Sequence, residues 1–138
     1  MATFQLEFVS PEKLLLSRPV EMALLPAADG QMGVLPGHAP MIVALRGGVI
    51  SVHEGGTETD ALFVPGGFAE IAPTRVTILA DEATPVEQLS RAEAEQRIAA
   101  AEKALAELNA EGTTPERRET AMDRVLAARA MLAAAQAA

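Results

Sequence analysis

His38 is the first of only two histidines in 138 residues, and it stands in Gly30-Gln-Met-Gly33-Val-Leu-Pro36-Gly37-His38-Ala-Pro40. A histidine held among glycines and prolines suggests two kinds of chemistry. The first is proton transfer, because an imidazole titrates in the useful range. That chemistry needs a nucleophile within reach and a third group to orient the ring. The chain has no Cys, and no Ser sits in a motif of that kind. The second is phosphate binding by a glycine loop. None of Gly47-Gly48, Gly55-Gly56 or Gly66-Gly67 runs into a Gly-Lys-Ser/Thr helix start, so turns and close strand packing explain them. His38 and His53 alone are too few for a His-rich metal centre. His38 is expected to brace its own loop by hydrogen bonding. Residues 30–40 are expected to form a tightly prescribed loop, which the residues alone allow as a structural turn or as a segment displayed to a partner.

The elements that would carry this loop follow from a shift in composition near Pro85. All four Phe and nine of the ten Gly precede it, whereas 17 Ala and a single Gly follow it. That is a change from sheet chemistry to helix chemistry. In the first part Phe4, Leu6 and Phe8 alternate with Gln5 and Glu7, which predicts a strand with one buried face. Further strands are predicted at residues 20–25, 41–45, 48–53, 61–65, 68–72 and 75–80. Asp29-Gly30, Glu54-Gly55-Gly56 and Pro73-Thr74 supply turns between them. Short strands at this spacing predict a small β-sandwich or barrel over residues 1–84.

Residues 85–138 predict an antiparallel two-helix hairpin, with helices at about 90–109 and 114–136, so the fold class is α+β. Ser90 followed by Glu93 is a capping-box pattern and predicts the first helix start, in preference to Thr84-Pro85-x-Glu87. Ile98, Ala101, Leu105 and Leu108 form one apolar face, and Glu93 to Arg97 is a favourable i,i+4 pair. Asn109-Ala-Glu-Gly112-Thr-Thr-Pro115 stops that helix and caps the next, whose matching stripe is expected at Met122, Val125, Leu126 and Leu132. So little bulky apolar area predicts a hairpin held weakly.

Composition also excludes partners. The net charge is −8, and the first 85 residues carry only Lys13, Arg18, Arg46 and Arg75 as basic groups. Nucleic acid and anionic lipid both require clustered cations, so neither is expected as a ligand. No stretch is apolar enough to span a bilayer, and direct membrane insertion is not expected. The first residues lack the basic and apolar regions of a signal peptide, so the protein is expected to stay where it is translated.

Taken with its surroundings, Gly30-x-x-Gly33-Val34-Leu35-Pro36-Gly37-His38-Ala39-Pro40 resembles the signature loop of the epsilon subunit of F-type ATP synthases, the counterpart of the mitochondrial delta subunit. Leu45-x-Gly47-Gly48-Val49-Ile50, Val64-x-Gly66-Gly67-Phe68-x-Glu70-Ile71 and Val76-Thr-Ile-Leu-Ala-Asp81 resemble the family's following segments in order. The resemblance covers the whole chain. It implies a non-catalytic part of the rotating central stalk that couples proton-driven rotation of the c-ring to ATP synthesis. The subunit would lie peripherally at the cytoplasmic face of the bacterial inner membrane. It also implies an interface with the gamma subunit and the c-ring at Gly30, Gln31, Met32, Gly33, Pro36, Gly37, His38 and Pro40. Gln31 stands where many bacterial relatives have an acidic residue, so the charge-assisted part of that contact is lost.

The family's hairpin is regulatory in several bacteria, and the resemblance implies a brake on hydrolysis through contacts with the alpha and beta subunits of the catalytic head. Arg117, Arg118, Arg124 and Arg129 are the residues expected to meet acidic surfaces there. Some members bind ATP at Leu/Ile-Asp-x-x-Arg-Ala. Here the aligned positions are Leu89, Ser90, Glu93 and Ala94, with Ser replacing Asp and Glu replacing Arg. A carboxylate in place of a guanidinium reverses the sign of a phosphate contact worth about 4 kcal/mol at 4 Å and an effective dielectric near 20. ATP binding is expected to be weak or absent, and no cofactor is expected. The alternative reading is a chain that is chiefly an inhibitor or nucleotide sensor.

Overall fold

The computed structural model describes residues 2–137; Met1 and Ala138, the ends of the two expected spans, lie outside the described residues. Ten strands run in chain order: β1 (Phe4–Val9), β2 (Leu14–Val20), β3 (Met22–Ala27), β4 (Gly30–Val34), β5 (Met41–Leu45), β6 (Gly48–Glu54), β7 (Thr57–Val64), β8 (Gly67–Ile71), β9 (Arg75–Leu79) and β10 (Thr84–Pro85). One 3₁₀ turn (Val86–Gln88) leads to α1 (Arg91–Glu111) and α2 (Pro115–Ala137). The strands hydrogen-bond along one path, β10-β7-β6-β3-β5-β8-β9-β1-β2, with β4 paired to β3 beside it. The path folds over at β3–β5, where Ala27 opposite Leu45 is the only paired register. All neighbouring strands are antiparallel except β1 and β9, which are parallel.

The two layers close on an aliphatic core. Phe4, Leu6 and Phe8 are buried as their alternation predicts, and Val20, Leu25, Val34, Ile50, Val52, Ile71, Val76 and Ile78 meet them. No charged or polar residue is buried among the described residues. At the open edge, Arg18 of β2 reaches across to Asp60 and to Glu54 (3.3 Å), tying that edge to the β6–β7 hairpin.

Three sequence expectations change. β2 was not among the predicted strands, and the strand expected at 20–25 runs instead over Met22–Ala27. Leu14-Leu15-Leu16 shows no alternation and Pro19 looks like a breaker, but β2 pairs only with β1, and an edge strand tolerates Pro. The segment 30–40 is not a loop throughout. Its first half is β4, in register with β3 from Ala27↔Gly30 to Ala23↔Val34.

The third change is in α2. The buried side is Ala121, Val125, Ala128, Met131 and Ala134, while Met122 and Leu126 face outward at 41% and 53% exposure. Helices that approach closely put their small residues at the contact, so alanine displaces the bulkier side chains from the seam. The α1 face is as expected: Ile98, Ala101, Leu105 and Leu108 are all half-buried. The caps also agree with the sequence. The Ser90 hydroxyl accepts from the Glu93 amide at 3.1 Å, Gly112 (φ +83°) ends α1, and the Thr114 hydroxyl accepts from the Arg117 amide at 3.2 Å.

The hairpin rests on the sandwich through a small cluster of Phe63, Ala94, Met131 and Ala134, with Val49, Leu89, Ala130 and Leu132 at its margin. Phe63 and Met131 are its two bulkiest fully buried members, each worth about 1.5–3 kcal/mol of burial. Gly47 sets the approach: a Cβ there would stand 2.8 Å from the Ala127 Cα. Gly47→Val is expected to lift α2 off the sheet while leaving the sandwich folded. Hydrogen exchange checks this: protection falls in α1 and α2 and stays unchanged in β1 and β9.

Candidate functional site: a displayed hairpin beside an apolar sheet face

The eight residues expected to meet partners occupy two adjacent structures. Gly30, Gln31, Met32 and Gly33 lie on β4, where Gln31 and Gly33 are exposed and Met32 is half-buried against the core. Pro36, Gly37, His38 and Pro40 form the following turn. The His38 amide donates to the Leu35 carbonyl (3.2 Å) around Pro36 and Gly37, whose φ of +85° is the type II arrangement of Pro before Gly. The Gly37 amide donates to the Pro73 carbonyl at 2.8 Å, which anchors the turn to the β8–β9 connection. His38 Nδ1 lies 3.0 Å from the Ala39 carbonyl and donates to it. The imidazole is thus engaged with its own loop.

Beside this segment the outer face of the second layer carries a row that sequence reading missed. Ala44 stands opposite Phe68, Phe68 opposite Leu79, Leu79 opposite Val9, and Val9 opposite Leu14. The row crosses five strands, and Phe68, Leu79 and Leu14 are 55%, 44% and 55% exposed. Ile42, one pair further along β5 on the same face, is 74% exposed. A contiguous exposed apolar row of this kind is a candidate docking face. It joins the hairpin directly, because Gln31, Met32, Met41 and Ile42 line one cleft of about 440 Å³.

The residues aligned with the ATP motif are occupied by local structure. Ser90 caps α1, and Ala94 is fully buried with its amide on the Ser90 carbonyl at 3.0 Å. Glu93 accepts from Arg97 at 3.0 Å, and Arg97 also donates to Glu82 at 2.7 Å. The hydrogen bond that Arg97 donates to Glu82, outweighing desolvation, holds the guanidinium above its ordinary pKa, with Glu93 adding to it. A raised folded-state pKa makes this contribution fully present below the unfolded value and lost only as pH climbs through the folded one. Both lie far into the alkaline range, so Arg97 itself makes stability no function of pH between 6 and 9. Ser90→Ala is expected to cost about 1 kcal/mol, read as a lower midpoint in urea, because the Glu93 amide loses its acceptor.

The four arginines of α2 do not converge. Arg118 donates to Asn109 at 3.0 Å and Arg129 to Glu102 at 3.0 Å, so both serve the hairpin itself. Arg117 and Arg124 flank a shallow groove of about 300 Å³ floored by Ala101, Ala104 and Leu108. Neither forms an ion pair among the described residues. No group of His, Cys, Asp and Glu suited to a metal ion occurs among the described residues. No described helix is long and apolar enough to cross a membrane.

A β-sandwich carrying a displayed glycine hairpin, followed by a helical hairpin, defines a class of small two-part assembly subunits. Residues 3–86 match the family model described as the ATP synthase delta/epsilon chain β-sandwich domain. The ATP synthase epsilon chain of Granulibacter bethesdensis is 54% identical over 136 residues, covering 99% of each chain. That of Rhodospirillum rubrum is 44% identical over 132 residues, 96% of each. The fold also matches a chain in the cryo-EM structure of the Euglena gracilis mitochondrial ATP synthase OSCP/F1/c-ring, at a TM-score of 0.74 and 23% identity, over 97% of this chain and 82% of that one. The chain belongs to the ATP synthase delta/epsilon family, among the bacterial epsilon chains.

Proposed function

We propose that the chain is a non-catalytic subunit of the central stalk of an F-type ATP synthase, peripheral to the cytoplasmic face of the bacterial inner membrane. In this reading the outer apolar row seats the gamma subunit, and the β3–β4 hairpin with its following turn faces the c-ring. The observation that carries it is the junction of the two: Ile42 belongs to the apolar face and also lines the cleft beside Gln31. One body touching both partners transmits torque between them. The names of the relatives and the family's β-sandwich model support the same assignment.

Gly33 separates this role from folding. A Cβ at Gly33 would meet only the Leu24 Cδ2 at 3.4 Å, an ordinary contact, whereas Gly37 needs its positive φ. Gly33→Val is expected to fold normally yet to lower ATP-driven proton pumping at least threefold with hydrolysis retained. Normal pumping would remove the β4 hairpin from the coupling contact.

A second reading, a brake on hydrolysis, has one observation in its favour: Arg117 and Arg124 form no ion pair among the described residues and flank an open groove. Hydrolysis by the catalytic head with the full chain, against residues 1–86 alone, tests it. Inhibition by the full chain only makes the hairpin a working brake. Equal rates leave the chain a coupling clamp. ATP is expected to give no binding heat below millimolar concentration, since Glu93 and Ser90 are committed to the helix start.

A further inference from the structure

The seam between the two helices differs on its two sides. On one side α2 is tied across to α1 by polar groups, Arg118 to Asn109 and Arg129 to Glu102. On the other side Arg117 and Arg124 stand two turns apart on one face of α2. Across the seam they meet no such partner but Ala101, Ala104 and Leu108. Glu116 is the one carboxylate among the described residues that line this groove. The groove does not end at Arg124. Ala101, Ala104 and Arg124 also line a second hollow of about 360 Å³, which continues to Met131 and Phe63. From Arg97 to Leu108 the joined trough follows α1 for about 17 Å at 1.5 Å per residue, roughly the extended length of a 14-carbon straight chain. Arg97, at the inner end, is already engaged by Glu82 and Glu93. The two arginines without an ion-pair partner among the described residues therefore lie along the outer half, where the N-terminus of α2 adds positive potential.

We propose that this trough binds one molecule of a long-chain carboxylate, with the headgroup between Arg117 and Arg124 and the hydrocarbon over the alanines toward Met131. A carboxylate matches the planar donor fork of a guanidinium. Thr120 is committed to the Glu116 carbonyl at 3.1 Å, so beyond the arginines the floor offers hydrocarbon. The same features argue against other occupants. A nucleotide would lay its polar base on alanine and its phosphates beside Glu116. A bilayer presents many anionic headgroups at once to a chain of net charge −8, whereas one dispersed molecule meets only the groups around the trough. The inference stands independently of the central-stalk reading.

The test is calorimetric titration of the full chain with dodecanoate below its micellar concentration. Two probes divide its features: butanoate keeps the headgroup without the chain, and dodecyltrimethylammonium keeps the chain with the opposite charge. Dodecanoate is expected to bind one per chain, and both other probes at least tenfold more weakly. Arg117→Gln with Arg124→Gln is expected to weaken dodecanoate at least tenfold. Ala104→Phe, which fills the floor from an exposed position, is expected to do the same with the charges intact. Lys13→Gln with Arg91→Gln makes an equal charge change at exposed sites elsewhere and is expected to stay within twofold. Circular dichroism confirms that each variant folds and that dodecanoate leaves the helix content unchanged. Hydrogen exchange with dodecanoate bound is expected to slow in α1 and α2 and not in β1 and β9. Absence of binding, or equal weakening by the two charge-changing pairs, would overturn the proposal. Binding lost in Phe68→Asp with Leu79→Asp but kept in the arginine pair would move the ligand to the outer apolar row, which also overturns it. So would displacement of dodecanoate by ATP, which gives the groove to a nucleotide. Flotation of the chain with phosphatidylglycerol vesicles, abolished by the arginine pair, would give these cations to a membrane surface instead.

Discussion

Replacing Gly67 with alanine is expected to be the most destabilising single substitution in the sandwich. A Cβ at Gly67 would run into the Leu79 carbonyl oxygen of the neighbouring strand and stand 3.2 Å from the Ala80 Cα. Both obstacles are backbone in the β8–β9 ladder, so no side chain can turn away to relieve them. Gly67 also has φ +137°, a region that side chains rarely adopt. Overpacking costs about 1–3 kcal/mol and a residue forced into such dihedrals another 1–3 kcal/mol. The sum, about 2–6 kcal/mol, is a large part of the 5–15 kcal/mol that holds an ordinary domain together. At about 4–8 °C per kcal/mol for a domain this small, the melting temperature should fall by about 8 °C or more. Thermal unfolding followed by far-ultraviolet dichroism measures it. A shift under about 3 °C would mean that β8 and β9 are not held in the register Phe68↔Leu79. Gly55→Ala serves as the control, since nothing lies within 4 Å of its Cβ and only the φ of +61° is at issue.

Charging the outer row has the largest expected effect on assembly. Ile42, Phe68 and Leu79 are already exposed, so Asp at any two of them leaves the core intact. In a complex these side chains would each bury roughly 1.5–3 kcal/mol of apolar surface. Phe68→Asp with Leu79→Asp removes two such contributions and also drives two carboxylates into an apolar contact. Binding to gamma should weaken at least 100-fold, equivalent to about 2.7 kcal/mol. Co-purification of tagged gamma with each form of the chain reads this out. Retention of the double variant at unaltered yield would assign the row to something other than gamma.

How far the sequence revealed these features depended on how cleanly each residue's role was written. β1 was legible because Phe4, Leu6 and Phe8 face a core while Gln5 and Glu7 face solvent, so one period describes the strand. Helix boundaries came within two residues, because Ser90, Gly112, Thr114 and Pro115 act locally through hydrogen bonds and dihedrals. The outer row was illegible for the opposite reason. In Ile42-Val43 and Ile78-Leu79 adjacent residues are apolar on both faces, and period two cannot say which side is the core. The α2 seam failed through hydrophobicity ranking: Met122 and Leu126 are the stronger hydrophobes, but Ala121 and Ala128 allow closer approach. The 30–40 segment was legible as special but not as half strand, since nothing in Gly30-Gln-Met-Gly-Val shows the pairing with β3. Its glycines marked a closely prescribed backbone, and the structure adds the exposed apolar row that lies beside it.

On the proposed function, this chain couples rotation to proton movement. The most direct measurement is ATP-driven acidification of inverted membrane vesicles that carry the rest of the synthase but lack this chain. Adding the unaltered protein is expected to restore acidification, and Phe68→Asp with Leu79→Asp to leave it unrestored. Acidification that is equal with and without the protein, in vesicles shown to have bound it, would mean that the chain has no part in coupling.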